Sequence, residues 1–202
     1  MILFGASGHG KVIIDILELN GTEDIKIWDD ALKGTLSGYT ASLPDFNSKD
    51  VQAGVVISIG DNTNRKKVAE RFPQQTKFHT AIHPSATLSR TVNVGDGTVI
   101  MAGVSVNPDT TIGQHGIINT NASIDHDCVI GDYVHISPNV ALCGNVTVGE
   151  GTHIGAASVV IPGKTIGKWC VIGAGTVIIN DIPDYSTVVG NPGRIIKTSM
   201  KG

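Results

Sequence analysis

An aliphatic residue at every sixth position from Ile82 to Ile178, a glycine column repeating at eighteen, and a strand, glycine turn and helix at the start predict a two-part chain. The first part is an α/β unit, a βαβαβ Rossmann-like half domain; the second is a left-handed parallel β-helix of hexapeptide repeats. The expected divisions are residues 1–78, 79–183 and a C-terminal tail, 184–202. A chain of 202 residues can bury its core without metal or disulfide staples. Aromatics make up only 4% while glycine reaches 25 residues, so a repetitive aliphatic arrangement must supply that core.

Met1–Phe4 reads as a short buried strand, Gly5-Ala6-Ser7-Gly8-His9-Gly10-Lys11 as a glycine turn, and Val12–Leu19 as an amphipathic helix. Such a turn lets backbone N–H groups at a helix N-terminus approach a phosphate. A Walker A loop is excluded because Val12 follows Lys11 where magnesium needs Ser or Thr. A full dinucleotide fold needs two mononucleotide halves, and only about 75 residues precede the repeat. What remains is a half-size nucleotide site. Ile25–Trp28 forms its second strand, ending in Asp29-Asp30, and Gly54–Ile59 its third, ending in Gly60-Asp61-Asn62. Carboxylates at a strand's carboxyl end suit ribose hydroxyls or a base edge; on local sequence Asp29 and Asp30 read equally well as a solvated turn. Arg65, Lys66 and Lys67 open a helix running to about Phe72, as a solvated face or a diphosphate site, and Pro73–Thr80 is the linker.

The aliphatic ladder then runs without a failure through Ile82, Leu88, Val94, Ile100 and on to Ile172 and Ile178. Four places after the aliphatic comes a small or β-branched residue, as at Ala86, Thr98, Ala122, Cys128, Thr152, Ser158 and Thr176. Gly95, Gly113, Gly131, Gly149 and Gly167 form the column at eighteen, so three hexapeptides make one coil. Neither a helical nor an alternating period fits. The six-residue phase is unbroken, so no long loop leaves the coils and substrate contacts must come from elsewhere.

A net charge of −3 gives no basic footprint, which argues against nucleic acid or an anionic membrane as the main partner. Three cysteines, Cys128, Cys143 and Cys170, are too few for a disulfide framework and read as small core residues in a reducing cytosol. No stretch approaches the length of a membrane span and the start lacks a signal peptide's regions, so a soluble, cytoplasmic protein is expected. Zinc hydration chemistry on a β-helix needs converging histidines with a pair five residues apart; no such pair exists, and no metal is expected.

The opening Gly-Ala-Ser-Gly-His-Gly, Asp29-Asp30, Gly60-Asp61-Asn62 and the coil segment Ile124-Asp125-His126-Asp127-Cys128-Val129-Ile130-Gly131 together resemble the hexapeptide-repeat sugar acetyltransferases of bacterial surface-glycan synthesis. That family includes bacillosamine-pathway UDP-amino-sugar N-acetyltransferases, perosamine N-acetyltransferases and sialic acid O-acetyltransferases. The resemblance implies a homotrimer with acetyl-CoA in the groove between adjacent prisms and a nucleotide sugar on the small domain. It places the catalytic histidine at His126, with Asp127 where the family usually has Glu. An imidazole can accept a proton near neutral pH and a neighbouring carboxylate can fix its tautomer, although on its own residues His126 is equally readable as a packing or exposed histidine. Gly144, eighteen residues on, should stack over His126, where its N–H could polarise a thioester carbonyl; an ordinary corner glycine is the other reading.

The resemblance further implies substrate contacts at Gly8, His9, Gly10, Asp29, Asp30, Gly60, Asn62, Arg65 and Asn119. Coenzyme contacts are implied at His135, Gly144, Ala156, Ala157, Ile161, Pro162 and Gly163, and at the C-terminal element Gly190, Asn191, Pro192, Gly193 and Arg194. His135 and His153, eighteen apart, should stack on one edge. The expected activity is acetyl transfer from acetyl-CoA to the 4-amino group of a UDP-linked 4-amino-4,6-dideoxy sugar. GDP-perosamine N-acetylation and sialic acid O-acetylation are the alternatives within the family, and a non-enzymatic sugar-nucleotide-binding scaffold is the alternative outside it.

Overall fold

In the computed structural model, which describes residues 1–31 and 34–199, the chain opens with a small, mostly parallel sheet. Its strands β1 (Ile2–Phe4), β2 (Lys26–Trp28), β3 (Thr35–Leu36), β4 (Tyr39–Ser42) and β5 (Val55–Ile57) lie in the order β3-β4-β2-β1-β5. β1 pairs in parallel with β2 and β5 and is buried throughout, as an uninterrupted apolar central strand requires. Helix α1 (Gly8–Leu19) joins β1 to β2, and α2 (Asn62–Ala69) follows β5. Between β2 and β5, where βαβαβ order anticipates a helix, the chain makes the β3–β4 hairpin and a 3-10 turn over Lys49–Ala53. Ser37 and Gly38 both take positive φ, at 49° and 87°, and close that hairpin in two residues.

From Ala81–Ile82 to Val177–Ile178, seventeen two-residue strands recur every six residues and stack into three parallel sheets, the faces of a left-handed prism. Strands pair with those eighteen residues away: Ile118 lies opposite Ile136 and His135 opposite His153. Every ladder aliphatic from Ile100 to Ile178 is at most 2% exposed, while Ile82, Leu88 and Val94 are only partly buried at the open end. The core is therefore one aliphatic column per face, which is why few aromatics are needed.

From Gly97 onward each corner is turned by one residue in the left-handed region. Positive φ recurs every six residues from Gly97 to Gly175, at Asp109, His115, Asn121, Asp127, Tyr133, Asn139, Asn145, Ala157 and Trp169 among them. Asn and Asp tolerate this conformation because their short side chains bond locally; bulky residues do not. The small-residue column has a second role beyond making room. Thr98, Thr110 and Thr152 donate to the carbonyls of Gly113, Asp125 and Gly167 and accept from the N–H groups of Gly116, Cys128 and Cys170. Each threonine thus ties two successive corners.

The α/β unit sits on the face that carries Ala81, Val99, Ile117, His135, His153 and Val171. Leu3, Ile13 and Leu17 join one cluster with Ala81, Val99, Met101 and Ile117. The adjoining corner holds the bulky left-handed residues His115, Tyr133 and Trp169. Phe78 meets His115 edge-on at 4.5 Å, His115 stacks on Tyr133 at 5.1 Å, and Lys66 of α2 lies over the Tyr133 and Trp169 rings. Backbone strain at these positions is offset by packing against the small unit. The linker is tied down as well, with Phe78 bridged in parallel to Val55 of β5. At the far end, Ser186–Val189 extends the same face and Arg194–Thr198 returns antiparallel to it. Residues 200–202 of the expected tail lie outside the described residues.

Candidate active site

His126 stands on the corner between the strands Ser123–Ile124 and Val129–Ile130. The left-handed residue of that corner is Asp127, φ 58°, and this turn brings its Oδ2 to 2.7 Å from His126 Nδ1. A one-methylene shorter carboxylate therefore still reaches the ring, because the corner itself aims it. Asp125 receives the His126 backbone N–H at 2.9 Å and the Asn107 side-chain amide at 2.7 Å. The Asp127 hydrogen bond, reinforced by the Asp125 charge, raises the His126 pKa above the ordinary imidazole value. With Nδ1 engaged by a carboxylate, Nε2 is the nitrogen left to accept a proton.

Gly144 lies over this ring. A Cβ added there would come within 2.7 Å of His126 Cε1 and Nε2, so only glycine leaves the imidazole its place. Gly163 N–H donates to the Gly144 carbonyl at 2.9 Å, while the Gly144 N–H has no acceptor among the described residues. Beside the corner is a cavity of about 240 Å³ lined by Ser105, Asn107, Ser123, Asp125, Ala141 and Cys143. Base, orienting acid, a free N–H and an adjacent hollow make an arrangement able to deprotonate a nucleophile and stabilise an oxyanion. Ile161, Pro162 and Gly163 form the next corner above Gly144.

Other expected residues lie elsewhere. Asn119, Ala156 and Ala157 occupy the corner at the opposite edge of the intervening face, and Asn119 approaches His135 Nε2 at 3.3 Å rather than His126. His135 and His153 stack at 4.7 Å, as their spacing anticipates. Burial, with the neighbouring His153 adding to it, holds His135 down at about 3. The pair lines a cavity of about 410 Å³ with Gly60, Asp61, Asn62 and Trp169. Gly190 to Arg194 form the turn of the C-terminal hairpin and cap the column of the Ala156 corner: Gly190 O accepts from Val177 N–H at 3.1 Å, Gly193 N–H donates to the Val177 carbonyl at 2.8 Å, and Gly175 N–H below donates to the Ala156 carbonyl at 2.8 Å.

At the carboxyl ends of β1, β2 and β5 lies a cavity of about 520 Å³. Its walls include Gly5, Ser7, Asp29, Asp30, Gly60, Asn64, Lys67 and Arg71. This is the place where an open parallel sheet receives ligands. The structure gives several of the expected residues other partners here. Gly10 is a packing glycine: a Cβ would meet the Gly5 carbonyl at 2.8 Å and Leu36 at 2.9 Å. Asp29 is buried and spends its oxygens on the Ala6 and Ala31 N–H groups, holding the glycine turn to β2. Asp30 is paired with Arg71 through two hydrogen bonds. Arg65 points away from the cavity, 1% exposed, with its donors spent on carbonyls and Asn62, and Asn62 donates onward to Gly151. Neither is available to a ligand there. Gly8 opens α1 and His9 is largely buried in its first turn, its pKa pulled to about 4 by burial and the Arg65 charge. The cations on the pocket wall are Lys67, one of the run read as a solvated face or a diphosphate site, and Arg71, which sequence reasoning missed. Asn64, Lys67 and Arg71 fall at i, i+3 and i+7, one face of a helix and its end, and that spacing was the available signal.

The unbroken β-helix of hexapeptide coils places the chain in the hexapeptide acyltransferase class. The PglD N-terminal domain model matches residues 1–72 and the bacterial transferase hexapeptide model residues 127–162. The acetyltransferase domain of PglB from Neisseria gonorrhoeae superposes with a TM-score of 0.92 at 33% identity, covering 96% of this chain and 98% of that one. PerB from Caulobacter crescentus, solved with CoA and GDP-perosamine, gives 0.89 at 36% identity over 97% and 96%. UDP-N-acetylbacillosamine N-acetyltransferase of Bacillus subtilis is 41% identical over 108 residues, half of each chain. The chain belongs to the family of hexapeptide-repeat sugar acetyltransferases with a PglD-type N-terminal domain.

Proposed function

We propose that the protein transfers the acetyl group of acetyl-CoA to the 4-amino group of a UDP-linked 4-amino-4,6-dideoxy sugar. The observation that carries this is the His126 imidazole, held on Nδ1 by Asp127 and covered by Gly144. His126 Nε2 takes the proton of the amine as its nitrogen attacks the thioester carbonyl. The Gly144 N–H steadies the oxyanion, and the C–S bond breaks as the imidazolium returns its proton to the leaving thiolate. The Bacillus subtilis relative's name supports a UDP-linked substrate. The CoA and GDP-perosamine bound to PerB, which matches over nearly the whole chain, favour a GDP-linked sugar as the second reading.

The nucleotide would occupy the cavity at the strand ends, with Lys67 and Arg71 near its phosphates. That cavity and His126 lie on opposite sides of one prism, since the α/β unit covers the face across from the His126 corner. A single chain therefore cannot bring its own two halves together. Adjacent copies in a homotrimer would set the His126 and Pro162 corner of one against the Asn119 and Ala156 edge of the next, which also forms a groove for the coenzyme. A thiol-release assay tests the reading, with acetyl-CoA offered against UDP- and GDP-linked 4-amino-4,6-dideoxy sugars and free sialic acid. Release with the UDP sugar is expected. Release with sialic acid alone would sink it.

A further inference from the structure

Among the described residues Arg65 is the largest fully buried side chain, and no carboxylate forms a salt bridge with it. Burying a guanidinium without a counter-charge is costly unless its donors are met. Here they are met by neutral oxygens at both ends of a span. Nη1 donates to the carbonyls of Ile59 and Gly60 at 2.9 and 3.2 Å. Nε donates to the His115 carbonyl at 2.8 Å, and Nη2 to the Tyr133 carbonyl and Asn62 Oδ1, each at 2.8 Å. Asn62 Nδ2 continues the line to the Gly151 carbonyl at 3.0 Å.

The two ends differ in kind. Ile59 and Gly60 form the wall of the strand-end cavity, and Gly60 is shared with the second cavity under His135 and His153. His115, Tyr133 and Gly151 are the left-handed corner residues of three successive coils, eighteen apart. We propose that Arg65 is a positioning residue that locks the nucleotide pocket to the β-helix, so that the coil stack, not the α/β unit alone, fixes the Ile59–Gly60 wall. Only the planar fork suits this geometry; a lysine would present one point charge and could not bond in both directions. The same charge, adding to burial, holds His9 and His115 down at about 4.

The inference rests on the strand-end cavity being the nucleotide site. Its test is calorimetric titration of UDP and of acetyl-CoA into the full-length wild type, Arg65→Lys and Asn62→Ala, with hydrogen exchange followed over residues 58–62. Loss of several charge-assisted hydrogen bonds predicts UDP binding at least roughly tenfold weaker in Arg65→Lys and a smaller loss in Asn62→Ala. Acetyl-CoA affinity should stay within about twofold, since that ligand is placed on other corners. Exchange at residues 58–62 should quicken in both variants. Unchanged UDP binding and exchange in a folded variant would overturn the proposal, as would equal losses for both ligands, the mark of general loosening. If Arg65→Lys fails to fold, Asn62→Ala decides. A wild type that binds neither UDP nor GDP would remove the nucleotide reading instead, and the exchange result would still decide the lock.

Discussion

His126 stands out in an eight-residue string, but the base chemistry proposed for it depends on two neighbours that the string does not explain. Asp127 reaches Nδ1 because it is the left-handed corner residue, and Gly144 is required by the ring beneath it rather than by its own backbone angle. Removing the proposed base tests the role itself: His126→Ala is expected to lower kcat by about 10²–10⁴ with the fold intact by circular dichroism. The raised His126 pKa fixes a sign for the pH profile. The imidazole must be neutral to act, so the acid limb of kcat/KM should have its midpoint above the ordinary value. Asp127→Asn, which removes the main cause of the shift, should move that midpoint to lower pH while lowering the maximum. A limb that stays where it was would place the titrating group elsewhere. For Gly144→Ala, whose backbone tolerates alanine, the added methyl meets the ring at 2.7 Å; a loss of about 10² in kcat with near-normal melting is expected.

Among the elements, the ladder was readable because each strand contributes one inward aliphatic and nothing interrupts the period. The corners were less readable. Positive φ at Asp109, Asn121 and Asp127 suits those residue types, yet His115, Tyr133 and Trp169 share the conformation, and only packing under α2 explains them. The Arg65-Lys66-Lys67 run carried no direction either: one residue is buried, one pairs with Glu150 and one faces the cavity. Direction in a short helix comes from where it docks, which one chain's sequence does not display. The threonine ties give an independent check. Thr110 holds the Asp125 carbonyl and the Cys128 N–H, the two ends of the His126 corner. Thr110→Val keeps the shape but strands both groups, and should cost about 1–3 kcal/mol in denaturant unfolding. Ile136→Ala, which opens a cavity in the aliphatic column, should cost about 2–5 kcal/mol.

For the whole molecule, two parts that meet over an apolar face and a buried arginine should unfold together, with a pH dependence set by the histidines between them. His9 and His115 sit near pKa 4 and His135 near 3, against 6.5 when unfolded. The folded state therefore keeps these rings neutral while the unfolded chain takes up protons below about pH 6.5. Stability should be full above that value and fall as pH drops toward 4, by up to about 1.4 kcal/mol per pH unit for each ring. A melting temperature flat from pH 7 to 4.5 would contradict the burial of these rings. Assembly gives a further expectation: because the pocket and His126 lie on opposite sides of one chain, inactive His126→Ala and pocket-blocked Lys67→Glu should regain activity when co-assembled, and a strictly additive mixture would argue for sites within single chains. The two-part architecture was legible in the sequence, from about 75 residues ahead of the repeat, too few for a dinucleotide fold, and from a repeat without loops.

The most direct measurement is thiol release from acetyl-CoA in the presence of a UDP-linked 4-amino-4,6-dideoxy sugar, run on the wild type and on folded His126→Ala. Saturable release by the wild type that falls by at least about 10² in the variant is the predicted result. Equal turnover by the two proteins would contradict the assignment of His126 as the base.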